Sequence, residues 1–225
     1  MKKAALAAVA AAMALCASMG AQAVELYGQL GSEGPGLGVG VSLRELGVGG
    51  DSVGLRAELN AISFKGKASV DGVSYDAKAR LRDAGLYADW FPAQGSGAWS
   101  GLRVTAGAMV NGHEVSGTGY DAGGTVVIRG RKFSTASEPV DAKLRWPAVM
   151  PYLGIGWGHN PLAAGWSWHA DLGVAYGRPS VSLTSTPLAE QYGAAKLERQ
   201  RAELEDKANG LRFLPVAKIG VGYRW

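Results

Sequence analysis

Pro215-Val216-Ala217-Lys218-Ile219-Gly220-Val221-Gly222-Tyr223-Arg224-Trp225 closes the chain, and the two parities of this stretch decide the fold. Read as an extended strand, it puts Pro215, Ala217, Ile219, Val221, Tyr223 and Trp225 on one face and Val216, Lys218, Gly220, Gly222 and Arg224 on the other. The first face is aliphatic and aromatic; the second is mostly small or charged. A strand of a soluble sheet alternates too, but turns its polar face to water. The sign of the alternation therefore has to come from the rest of the chain.

The opposite end supplies a first constraint. Met1-Lys2-Lys3 precedes an alanine-rich stretch from Ala4 to Ala17, and Ala21-Gln22-Ala23 follows. These are the charged region, apolar region and A-x-A cleavage site of an export signal. An uncleaved membrane helix needs about 20 strongly apolar residues, whereas this stretch is mostly alanine. Residues 1–23 are expected to be a cleaved signal peptide and residues 24–225 the mature chain. Cys16 follows Leu15 rather than the small residue an acylation site takes, and belongs to the leader.

Losing Lys2 and Lys3 with the leader lowers the formal net charge from +4 to +2, so charge gives no support to nucleic-acid binding. The single cysteine is Cys16. The mature chain therefore has neither disulfides nor thiolate metal sites to hold it together, and its length suits one domain.

Dyad alternation recurs along the mature chain. Leu37, Val39, Val41 and Leu43 alternate with Gly38, Gly40, Ser42 and Arg44. Val53, Leu55, Ala57 and Leu59 alternate with Gly54, Arg56, Glu58 and Asn60, and the residues from Leu102 to Asn111 do the same. Export, a glycine-lined polar face and the chain end together predict an all-β fold: an eight-stranded antiparallel up-and-down transmembrane β-barrel. Strands are expected near 24–31, 37–46, 52–64, 73–91, 100–112, 143–158, 165–184 and 210–225. Short periplasmic connections then fall at 47–51, 92–99 and 159–165, and outward ones at 65–72, 113–142 and 185–209.

Trp90, Trp99, Trp157, Trp166 and Trp168 sit beside the short connections, where an aromatic girdle belongs. Within 73–91, Arg80 and Arg82 have the parity opposite to an inward Asp89 if Leu86, Ala88 and Trp90 face lipid. A β-bulge near Asp83 is predicted to restore register. A helix is predicted over about 187–208, capped by Thr186 and Pro187 and stopped by Gly210.

Eight strands enclose room for little more than side chains. The inward residues are expected to include Arg56, Glu58, Lys78, Arg80, Arg82, Asp89, Arg103, His169, Asp171, Lys218 and Arg224. Buried charges must pair, so the leading expectation is an ion-pair network that plugs the lumen. The excess of basic residues makes a narrow anion-preferring channel one alternative. An envelope hydrolase acting on lipid A or phospholipid is another, with Ser167, His169 and Asp171 on one strand face. Residues two apart on a strand stand about 6.5–7 Å apart, beyond hydrogen-bond reach for a nucleophile and base, so no catalytic residue is assigned. His113-Glu114 and His159-Asn160 lack a matching ligand set, so no metal and no cofactor is expected.

The terminal aromatic, with Tyr223 two residues earlier and Ile219 and Val221 before it, resembles the signal by which outer-membrane barrels are recognised by their assembly machinery. Met150-Pro151-Tyr152-Leu153-Gly154-Ile155-Gly156-Trp157-Gly158, Ala170-Asp171-Leu172-Gly173-Val174, Val181-Ser182-Leu183 and Leu214-Pro215-Val216 resemble small proteobacterial outer-membrane proteins of the OmpA-type and OmpW-type porin-like barrels. The resemblance implies a monomer in the bacterial outer membrane. Its neighbours are lipid and lipopolysaccharide, its partner the assembly machinery during insertion, and its outer loops are open to surface ligands. It carries over no catalytic residue, and no peptidoglycan-binding domain of the kind that follows the OmpA barrel is expected, so wall anchoring is not implied.

Overall fold

The computed structural model describes residues 24–225 except 45, 48–49, 51, 71–72, 94–96, 98, 121–124, 129–130, 135–139, 161–162, 185–201 and 203–207. The expected leader lies outside the described residues, as does the helix over 187–208 apart from Ala202 and Ala208. Next to it is a short 3-10 turn, Asn209–Leu211.

Thirteen antiparallel strands are described: β1 (Val24–Gly31), β2 (Gly34–Ser42), β3 (Val53–Val70), β4 (Val73–Trp90), β5 (Leu102–Asn111), β6 (Glu114–Tyr120), β7 (Thr125–Ile128), β8 (Arg131–Ser134), β9 (Val140–Arg145), β10 (Val149–Trp157), β11 (Gly165–Tyr176), β12 (Ser180–Thr184) and β13 (Phe213–Arg224). Eight of them form a ring in the order β1-β2-β3-β4-β5-β10-β11-β13, which closes where β13 pairs back onto β1. Closure satisfies the main-chain groups that an open sheet edge would leave unpaired. Each of the eight expected strands overlaps one of these eight, but 143–158 also takes in the second half of β9, 165–184 also takes in β12, and 65–70, expected in a loop, extends β3.

Alternation builds the wall of the ring. Leu26, Leu30, Leu37, Leu55, Leu86, Leu153, Ile155, Leu172, Ile219 and Val221 are exposed on its outside. Glu25, Tyr27, Arg56, Glu58, Asp89, Arg103, Thr105, His169, Asp171 and Lys218 take the opposite parity and are buried within. Inward tyrosines need inward glycines beside them. A Cβ on Gly38 would overlap the Tyr27 ring, and one on Gly173 the Tyr152 ring.

Two expectations fail. The register of β3 against β4 runs unbroken from Val53 opposite Trp90 to Val70 opposite Val73, so there is no bulge at Asp83. Asp83 is buried with the inward parity of Tyr87 and Asp89, and Arg82 is exposed with that of Leu86 and Trp90. No correction of register is needed, because the hairpin outruns the ring. Past Asp83, β4 exchanges its partner β5 for β6, and Arg80 pairs with Glu114 beyond the ring.

The second failure concerns the stretch 113–142, expected as a loop, which holds β6, β7, β8 and part of β9. β6 continues β5 after a break at Gly112-His113, and β9 runs into β10 after a break at 146–148. Together β3, β4, β6, β9 and β12 form a sheet that continues one side of the wall past the ring.

Candidate functional site

Among the described residues, the lumen of the ring is where the fold concentrates buried charge. Its middle is a charge lattice. Arg56 donates to Asp89 through Nε, and through Nη2 at 3.1 Å. Arg103, with no exposed surface, donates through Nη2 to Asp171 and through Nη1 to the Gly158 carbonyl at 2.8 Å. Thr105 Oγ1 donates to Asp89 at 2.6 Å. These side chains come from β3, β4, β5 and β11, so the lattice ties together walls distant in sequence.

Toward the long-loop end, Lys218 is paired with both Glu58 and Glu33. Asn60 bridges Glu58 at 3.1 Å and Asp83 at 2.8 Å, and Gln29 donates to Asn60 at 2.8 Å. Beside this layer Tyr87, Met109, Met150, Tyr152, Ala175 and Val216 form an apolar cluster, with Lys218 Nζ 5.5 Å from the centre of the Tyr87 ring. At the short-turn end Arg224 Nη2 donates to Glu25 Oε2 at 3.0 Å. A cavity there, lined by Glu25, Arg56, Asp89, His159 and Arg224 among others, measures about 10 Å³. That is room for about one water.

The structure gathers Arg56, Glu58, Asp89, Arg103, His169, Asp171, Lys218 and Arg224 in the lumen, as their parity predicts. It does not gather Lys78, Arg80 and Arg82. Lys78 and Arg80 stand on the part of β4 beyond the ring, where Arg80 faces Glu114 at 3.7 Å, and Arg82 is exposed. On the same extension Arg145 Nε donates to Glu114 Oε2 at 2.7 Å and holds the Glu114 carboxyl below its ordinary range.

The lumen also takes residues that the sequence reading passed over: Glu25, Gln29, Glu33, Asn60, Asp83, His113 and His159. The parity of β1 could have revealed Glu25 and Gln29, which alternate with Leu26 and Leu30. Glu33, His113 and His159 stand in turns or breaks, where period two says nothing. The charge balance changes with them. Among the described buried residues Glu25, Glu33, Glu58, Asp83, Asp89 and Asp171 outnumber Arg56, Arg103, Lys218 and Arg224. The expected basic excess came from counting Lys78, Arg80 and Arg82 inside; without them the lumen carries more acid than base, and an anion preference loses its basis.

Ser167, His169 and Asp171 do share the inner parity of β11, but neither ring nitrogen of His169 has a hydrogen-bond partner. Trp90, Trp99, Trp166 and Trp168 are exposed at the short-turn end of the ring, and Trp157 is half-buried there. Neighbouring rings touch: Trp99 and Trp157 centroids are 6.3 Å apart, Trp157 and Trp168 stack at 6.5 Å, and Trp166 meets Tyr223 edge-on at 5.3 Å. Ile219, Val221 and Tyr223 face outward on β13, and Trp225, just past its end, is exposed as well.

A closed antiparallel ring with a polar inside and an apolar outside is the fold of an outer-membrane β-barrel. Solved structures share it. CarO2 of Acinetobacter baumannii is 24% identical, with a TM-score of 0.58 over 90% of this chain and 98% of that one. CarO of the same organism is 22% identical, with a TM-score of 0.56 over 89% and 97%. No family model matches the chain, and no curated protein does so either.

Proposed function

We propose that the mature chain is an integral β-barrel of the bacterial outer membrane, structural or porin-like, with a lumen closed to solutes by its own side chains. The observation that carries the reading is the inversion of the ring. Its outside is a continuous band of exposed Leu, Ile, Val and Trp, and its inside is a buried lattice of Arg, Glu and Asp. In water an apolar surface of that extent is an association liability, whereas in lipid it is the ordinary exterior of a barrel. The closed lumen rests on Arg56 and Asp171, which reach from opposite walls of the ring to within 3.6 Å of each other, with the Tyr87–Tyr152 cluster beside them. On this reading the short-turn end, ringed by tryptophans, faces the periplasm, and the sheet beyond the ring faces outward. Kinship with OmpA-type and OmpW-type proteins is part of the same proposal and rests on the motifs at 150–158 and 170–174.

Two measurements test it. A barrel refolded in detergent should migrate differently on a gel with and without boiling; a chain that never shifts and extracts without detergent removes the membrane assignment. Planar bilayers holding the protein should stay silent under conditions where a general porin conducts; steady single-channel steps would overturn the closed lumen.

A further inference from the structure

Two histidines meet at the short-turn end of the lumen. His159 lies in the turn between β10 and β11 at φ 57°, a left-handed backbone that residues other than glycine adopt at a cost. His169 points inward from β11, and both are buried. Their rings stack with centroids 4.0 Å apart, and Tyr27 meets them edge-on at 4.5 Å and 5.2 Å. Gly158 and Gly220 make the space, since a Cβ on either would run into His169.

The tautomer of His159 follows from its partner. Its Nδ1 stands 2.8 Å from Glu25 Oε1. A carboxylate only accepts, so Nδ1 carries the proton and Nε2 keeps a lone pair. That Nε2 and both ring nitrogens of His169 are buried without a hydrogen-bond partner, an arrangement that costs free energy unless something fills it. Glu25, His159 and His169 each present a ligand atom, and these atoms lie within 4.8 Å of one another.

We propose that His159 and His169 form a binding site for a divalent transition-metal ion of the zinc, nickel or copper kind. Glu25 holds His159 from behind through Nδ1–H. Imidazole nitrogens select these ions over magnesium or calcium, and a carboxylate behind a ligating histidine fixes the ring and raises its basicity. A tetrahedral ion with bonds near 2.0–2.1 Å needs nitrogens about 3.4 Å apart with both lone pairs aimed at it, so His169 turns out of the stack with His159 when the ion binds.

The surrounding cations are already taken. Arg224 is paired with Glu25, Arg56 with Asp89 and Arg103 with Asp171, so the three arginines nearest the site are each matched by a carboxylate. The other cluster, Glu33, Asp83 and His113, is unsuited to the same chemistry. His113 Nδ1 accepts the Arg82 backbone N–H at 3.2 Å, which leaves the proton on Nε2 and no lone pair to offer.

The test is calorimetric titration of tag-free, refolded mature chain in detergent with zinc chloride. One ion should bind per chain. Glu25→Gln should weaken binding about 10- to 100-fold, as loss of a supporting carboxylate does, and His169→Ala should lose it. His113→Ala changes the third of the three histidines and should bind as wild type does. Absence of binding by wild type to zinc, nickel and copper overturns the proposal, as does unchanged zinc affinity in His169→Ala. If His169→Ala does not refold, as judged by its gel shift, His159→Ala on the turn is read by the same criterion.

Discussion

Arg103 and Asp171, 68 residues apart in sequence, meet over Gly156 on the strand between theirs, with both side chains almost wholly buried. Arg103 also stands 3.4 Å from Asp89 Oδ1, so one guanidinium serves two carboxylates. Removing it leaves both without part of their compensation in a low-dielectric interior. Breaking a buried pair on one side costs about 3–5 kcal/mol, so Arg103→Ala should lower the stability of the refolded protein by that order. Urea unfolding followed by tryptophan fluorescence measures it. The double variant Arg103→Ala with Asp171→Ala should cost less than the sum of the two single changes, and simple additivity would show that the two side chains act independently.

Gly38 lies opposite Tyr27 on the neighbouring strand, and a methyl group there would overlap the tyrosine ring. Tyr27 has no free direction, being buried, donating its hydroxyl to Glu58 at 3.2 Å and packed against both lumen histidines. Overpacking of this kind costs about 1–3 kcal/mol. Gly38→Ala should show that loss in the same urea assay, and Tyr27→Leu in the Gly38→Ala background should recover part of it. Gly66, beyond the ring with nothing near its missing Cβ, is the contrast: Gly66→Ala should stay within about 0.5 kcal/mol of wild type.

These two sites show how much the sequence disclosed. Arg56, Glu58, Asp89, Arg103 and Asp171 were legible because a strand sends every second residue to the same side, so parity alone placed them inward. Parity also fixed the glycine-lined face, though not the reason for it, which is the tyrosine opposite. Lys78, Arg80 and Arg82 were misplaced by taking the whole of 73–91 as ring wall and switching its parity with a bulge near Asp83. β4 instead continues past Asp83 and takes β6 as its partner, where side chains on either face can meet water. Glu33, His113 and His159 were invisible because turns and strand breaks have no period to read. That His159 would come to rest on His169 depends on the register of the β10–β11 hairpin and on the left-handed turn at His159, neither of which period two encodes.

Arg82 and Asp83 are adjacent and face opposite ways, and the unbroken register of β3 with β4 makes that testable. Residues 24–225 contain no cysteine, so single-cysteine labelling of that stretch is clean. Arg82→Cys in the refolded protein should react quickly with a bulky water-soluble maleimide. Asp83→Cys should react only after denaturation, because that position is buried beside Asn60. Equal labelling of both would mean that the strand bulges in solution and that the uninterrupted pairing is not what the protein adopts.

Trp225 and Trp166 flank Tyr223, at ring distances of 6.0 Å and 5.3 Å, and both are exposed on the outside of the short-turn end. They belong to one aromatic patch, yet only Trp225 ends the chain. If the patch matters simply as a girdle at the membrane boundary, Trp166→Asp and Trp225→Asp should impair the protein alike, in cells and on refolding into lipid vesicles. If the end of β13 is read during assembly, Trp225→Asp should cut the outer-membrane level several-fold while refolding in vitro stays near wild type, and Trp166→Asp should do neither selectively. Immunoblotting of outer-membrane fractions beside gel-shift assays of refolded protein separates the two. Normal membrane levels of Trp225→Asp would remove the assembly role from the residues Ile219, Val221, Tyr223 and Trp225 and leave them an ordinary lipid-facing strand.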